Sequence, residues 1–222
     1  MGPAPVQLYP KSTFIMRQLG SPPEIDQKMF AAAKDIFEQS GITVMDADSS
    51  SGQKDFLERI LGLIRGTGFT TALFSTQTRQ TAFANIALEL GFAAMCGKPL
   101  VIIKSKDAEA PSDLTRTDWI EYDHEDQARF TIKLEQAIRE VNALAEFERD
   151  KLEVALEAER MDCAIAFERV KKAFLLTGEQ EYIERAKSVL DRLEKGDNID
   201  DLHRERNEIR TFIRQANRSL SQ

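Results

Sequence analysis

The chain has 222 residues, 42% of them hydrophobic, and a formal net charge of −7 at pH 7, which suits one medium domain with a real core plus an extension. The acidic balance argues against broad binding to nucleic acid, and no apolar run reaches the ~18 residues that span a bilayer. Residues 1–11 lack the basic and apolar regions of a secretory signal. Cys96 and Cys163 lie far apart, and with His124 and His203 they show no ligand spacing. The expectation is a cytoplasmic protein with reduced thiols, no membrane contact and no metal.

Residues 12–19 (STFIMRQL) form a short apolar run that predicts a first strand, broken by Gly20, Pro22 and Pro23. Helical spacing over 25–39 places Ile25, Met29, Phe30, Ala33, Ile36 and Phe37 on one side, and Gly41 ends that helix. A second strand follows at 42–46 and a loop at 49–52. The stretch 55–65 predicts a helix, stopped by Gly66-Thr67-Gly68, and 69–75 (FTTALFS) a third strand. A strong helix is expected over 78–97. The β-branched run 99–104 (PLVIIK) reads as a central strand covered on both faces. Pro111 lies in a loop, and 119–122 (WIEY) is a short fifth strand.

Short apolar strands alternating with helices predict a flavodoxin-like, doubly wound parallel α/β sheet of about five strands over residues 1–124. From residue 125 glycine nearly vanishes and Glu, Lys, Arg, Ala and Leu dominate. One long helix is expected over about 125–160, then helices at 164–176, 179–193 and 199–220, with a turn at Gly196-Asp197-Asn198. Residues 125–222 thus read as a helical extension, either packed on its own domain or mediating oligomerisation or partner contacts.

Chemistry concentrates in 78–102, TRQTAFANIALELGFAAMCGKPLVI. Its helix is apolar almost all round and is expected to be buried. One carboxylate, Glu89, sits within it, so it should be paired, protonated or turned to a polar pocket. Asn85 lies four residues earlier, on the same face. The plainer alternative is a glutamate that reaches the surface or pairs with an arginine such as Arg17.

The run NIALELGFAAMCGKPLVII, with FIMRQLG at 14–20, PSDL at 111–114 and IEY at 120–122, resembles the nucleoside 2-deoxyribosyltransferase-like family and the Toll/interleukin-1 receptor (TIR) domains related to it in fold. The resemblance covers roughly residues 12–140. It implies that Glu89 works at the anomeric carbon of a ribose, as a nucleophile or as the carboxylate beside an oxocarbenium-like centre. It also implies NAD or another nucleotide as substrate or ligand rather than a resident cofactor, and a defence-type setting. The transferase pattern carries an aspartate where Phe83 stands, and the TIR pattern often a tryptophan near Asn85.

Ligands of such sheets bind beyond the C-terminal strand ends. That region offers Arg17, Gln18 and Gly20 after the first strand, Asp46 and Asp48 after the second, and Ser75, Thr76 and Thr78 after the third. Arg17 could hold phosphate, and Asp46 or Asp48 could hold ribose hydroxyls or serve turn chemistry. Ser75 or Thr76 could contact ligand or cap the next helix. Ser105 is a weaker candidate, and Trp119 belongs to the core or its rim. No GxxxxGK[ST] or GxGxxG is present, so a P-loop triphosphatase or a dinucleotide-dependent dehydrogenase is unsupported. Two functions remain: cleavage of an N-glycosidic bond, with Glu89 and Asn85 as the working pair, or a nucleotide-sensing or assembly module without turnover.

Overall fold

Five strands make one sheet. They are β1 (Tyr9–Met16), β2 (Thr43–Met45), β3 (Thr67–Phe74), β4 (Leu100–Ser105) and β5 (Trp119–Tyr122). In this computed structural model, which describes residues 6–47, 56–109, 119–157, 162–195 and 203–221, they lie in the order β2-β1-β3-β4-β5. Neighbouring strands pair in parallel, Ser12 with Thr43, Thr70 with Leu100 and Ile102 with Trp119. The flavodoxin-like arrangement expected from the alternation of elements is therefore present, with its switch point between β1 and β3. Every residue of β3 is buried, as a strand flanked on both edges and both faces requires.

Three helices connect the strands: α1 (Glu24–Gln39), α2 (Phe56–Gly66) and α3 (Gln80–Met95). Met29, Ala33, Ile36 and Phe37 form the buried stripe of α1, the face its spacing predicts. Rings lock the layers: Phe37 packs on Phe69 at 5.7 Å between centroids, and Phe74 edge-on against Phe83 at 5.1 Å. Such pairs add about 0.5–1.5 kcal/mol beyond burial.

Three local expectations are corrected. β1 starts and ends three residues earlier than expected, because Arg17 and Gln18 leave the strand to make side-chain bonds and the chain turns at Gly20 and Ser21, both at positive φ. Thr67 and Gly68 do not form a loop. Thr67 opens β3 directly, its hydroxyl donating to the Leu63 carbonyl and closing α2 without a connector. The helix expected to be buried, α3, buries only Ile86, Leu90 and Ala93, while Leu88 and Met95 are 56% and 86% exposed. An all-round apolar sequence gives no polar face from which to tell inside from outside.

The chain divides into two compact units, Ser12–Val141 and a second made of Met1–Lys11 with Asn142–Gln222. The long helix α4 (Gln127–Glu157) belongs to both. The second unit adds α5 (Cys163–Thr177), α6 (Glu181–Lys195) and α7 (His203–Leu220). Its core holds Leu8, Leu152, Phe167, Val170, Phe174, Tyr182, Ile183, Val189, Ile209 and Phe212. Asp162 caps α5 by accepting from the Ala164 and Ile165 amides. Gly178 ends it at φ 73, and a Cβ there would stand 3.4 Å from Pro10, so both backbone and space favour glycine. Asp48, the loop at 49–52, Pro111 to Leu114 and the turn at 196–198 lie outside the described residues.

Candidate functional site

Glu89 sits just past the middle of α3, the only charged residue between Gln80 and Met95. It is half-buried, and loss of hydration pushes its carboxyl up to about 7. No hydrogen bond or ion pair reaches it among the described residues. Burial favours the neutral acid, and no cation opposes that. At neutral pH the group is shared between acid and carboxylate, so it can donate a proton or set a negative charge beside a developing cation. Asn85 is exposed and makes no hydrogen bond to Glu89 among the described residues.

A second cluster forms at the C-terminal strand ends. Arg17, just beyond β1, binds Asp46, just beyond β2, at 2.8 Å. Its guanidinium lies 4.1 Å from the Phe30 ring centroid. Both side chains are largely covered, about 15% exposed for Arg17 and 14% for Asp46. Arg17 is thus the partner of Asp46, not of Glu89. The phosphate and ribose contacts expected of them separately meet in one ion pair.

Gln18 is buried and works as a clamp. Its amide donates to the Ser21 carbonyl, and its oxygen accepts from the Arg79 backbone amide at 2.8 Å. The Arg79 side chain returns to the Leu19 and Gly20 carbonyls. The loop after β1, Gly20 included, is thereby tied to the start of α3. Ser75 accepts from the Gln77 amide, and Thr78 accepts from the Ser75 amide. The Thr76 amide points at the Ser105 hydroxyl at 3.4 Å. These bonds build a turn before the helix. The expected cap by Ser75 or Thr76 is absent, since Arg79 holds the N-cap position without a side-chain cap bond.

Two residues of this cluster escaped the sequence reading. Asp26, 3% exposed, accepts from the Thr78 hydroxyl at 2.8 Å through one oxygen, while the other has no partner. It stands three residues past Pro23, the α1 N-cap. A capping box would return a carboxylate to the N-cap amide, but proline has none. Asp26 turns to Thr78 instead. The Pro-Pro-Glu-Ile-Asp run carried that signal. Lys104 is the penultimate residue of β4, where its ammonium pairs with Glu121 at 3.1 Å and donates to the Ala108 carbonyl at 3.0 Å. A lysine near the end of a buried strand needs such partners.

Glu89 and the strand-end cluster are distinct places on the α/β unit. Nine residues separate Glu89 from Gln80, about 14 Å along the helix axis. Among the described residues there is no group of acidic, histidine and cysteine side chains suited to a metal, and no helix is long and apolar enough to cross a membrane.

No protein-family model matches the chain, and no curated protein does. Among solved structures, a 2-deoxyribosyltransferase from the psychrotolerant bacterium Bacillus psychrosaccharolyticus is similar at 14% identity, covering 53% of this chain and 90% of that one, with a TM-score of 0.40.

Proposed function

We propose that the α/β unit binds a nucleotide and cleaves its N-glycosidic bond through Glu89, with NAD or a related nucleotide as the substrate. The observation that carries this reading is a half-buried carboxyl on a helix with no other charge and with no partner among the described residues, where loss of hydration pushes it up to about 7. Breaking a C–N glycosidic bond builds positive charge on the sugar. A poorly hydrated carboxylate nearby answers that charge more strongly than one in water, and water adds at C1′ as the C–N bond breaks; nicotinamide leaves NAD as a neutral base, while a purine needs a proton that the same group in its acid form can supply. A neighbouring carboxylate, the other common cause of a raised carboxyl, contributes nothing among the described residues. Asn85 would orient the ribose, and Gln18, Gly20, Ser75 and Thr76, about 14 Å away along α3, would hold the distal phosphate end of an extended dinucleotide. Arg17 serves phosphate only by exchanging Asp46 for the ligand.

The test is chromatographic. The purified chain is incubated with NAD and with deoxynucleosides, and free base is measured over a range of protein concentrations. Release should fall at least ~100-fold in Glu89→Gln, the scale of a lost acid–base group. No release from any substrate, or equal release by the variant, rejects the reading.

A second reading is a nucleotide-sensing or assembly module without turnover, cytoplasmic and working through its helices. The internal use of Gln18, Ser75, Thr78 and Arg79 favours it, because these groups already have partners. Saturable nucleotide binding by calorimetry, with no base released, would select it.

A further inference from the structure

One face of α3 is apolar and open to solvent. Ala84, Ala87, Leu88, Gly91, Ala94 and Met95 are all exposed, Leu88 and Met95 heavily so. Glu89 lies about 100° round the helix from Leu88, off this face. In a chain that is 30% charged, an exposed three-turn face without a charge is a surface suited to desolvation.

The order of side chains selects what covers it. Ala84, Leu88, Gly91 and Met95 recur at intervals of four, three and four, the seam of a helix pair. Their sizes run small, large, small, large. Read backwards, the same seam runs large, small, large, small. An antiparallel second copy therefore sets Leu88 of one chain against Gly91 of the other and Met95 against Ala84, giving four layers related by a two-fold axis. A parallel copy would stack Leu88 on Leu88 and leave a void where two glycines face. Nothing lies within 4 Å of the position a Gly91 Cβ would take, so the recess is empty. Ala87 and Ala94 flank the seam and permit close approach. Neither copy brings a charge to be stranded.

We propose that α3 pairs antiparallel with α3 of a second copy of this chain, Leu88 on Gly91 and Met95 on Ala84, to make an isologous dimer. The seam is about 17 Å long. It falls short of the ~800 Å² per partner of a standard interface, so the dimer is weak.

Sedimentation equilibrium of the full chain up to ~1 mM tests it. Gly91→Leu occupies open space on one chain and removes a glycine from a helix interior, so the fold is kept. It sets leucine against leucine across the axis, and dimerisation should weaken at least ~10-fold. The double variant Leu88→Ala/Gly91→Leu exchanges the sizes while keeping each layer large on small, and should return to within ~3-fold of the parent. Thermal melts of both variants report that they fold. A parent monomeric across the range, a dimer indifferent to Gly91→Leu, or a swap that fails to rescue overturns the proposal.

Discussion

Helices α3 and α6 are almost equal in length, and they show opposite ways for a sequence to specify a face. In α6, Tyr182, Ile183, Ala186, Val189 and Leu193 are buried in a stripe, while Arg185 on the flank binds Glu181 and Glu153. In α3 only Ile86, Leu90 and Ala93 are buried, and its single charge is half-buried without a partner among the described residues. The polar residues, not the apolar ones, tell a helix which way to face. Where they are missing, the monomer leaves an apolar surface, and the one charge that remains bears the desolvation alone.

The largest effect that would sharpen this comparison lies in the core beneath α6. Phe174 is fully buried and packs edge-on against Phe212, with centroids 5.6 Å apart. Phe174→Ala removes a ring from a closed layer and should cost about 3–5 kcal/mol, read as an earlier loss of helical circular dichroism in urea. An exposed apolar residue of α3 should behave otherwise. Met95→Ala, at the 86% exposed position, should change the stability of dilute protein by less than ~0.5 kcal/mol. Equal losses from the two would show that the α3 face is covered within the monomer.

A smaller effect, with a sign set by pH, concerns Glu89. Its carboxyl is raised from 4.5 to about 7 by burial, so the folded chain holds this proton more tightly than the unfolded chain does. Stability from this group is complete below about pH 4.5, falls as pH rises through 7, and is flat above. Glu89→Gln keeps shape and hydrogen-bonding capacity but cannot ionise. It should match the parent near pH 4 and exceed it at pH 8 by up to ~3 kcal/mol, measured by urea denaturation at both values. A difference independent of pH would mean that the carboxyl is ionised and hydrated in the folded state, and the proposed chemistry would lose its basis.

What could be read in advance followed the same division. The β-branched runs that became β3 and β4, and the striped helices α1, α6 and α7, declare their environments residue by residue. Asp26, Gln18 and Lys104 did not, because each acts through partners far off in the chain: Asp26 with Thr78, Gln18 with Arg79, Lys104 with Glu121. A polar residue looks like turn chemistry until the fold brings its partner near. Arg17 and Asp46 show this most plainly. Each had a reading of its own as a ligand contact, and neither reading contained the other residue. Glu89 was visible because it breaks an apolar pattern, which needs no partner to be noticed.

The smallest effect separates local from long-range specification at helix starts. Asp162 caps α5 through the Ala164 and Ile165 amides, within four residues of contiguous chain. Asp162→Ala should therefore cost about 1 kcal/mol, and Asp162→Ser or Asp162→Asn should recover most of it, since any short side-chain acceptor serves. The start of α3 has no such device. Arg79 occupies the N-cap and gives its side chain to the Leu19 and Gly20 carbonyls while its amide goes to Gln18. Arg79→Ser supplies a good local cap and removes the side-chain half of the tie to the loop after β1, leaving the amide bond to Gln18. If local capping governed α3 as it governs α5, the substitution would stabilise the α/β unit. The geometry predicts a net loss of about 0.5–1 kcal/mol, with faster hydrogen exchange at the amides of residues 18–21. A gain in stability with exchange unchanged would place α3 in the same class as α5.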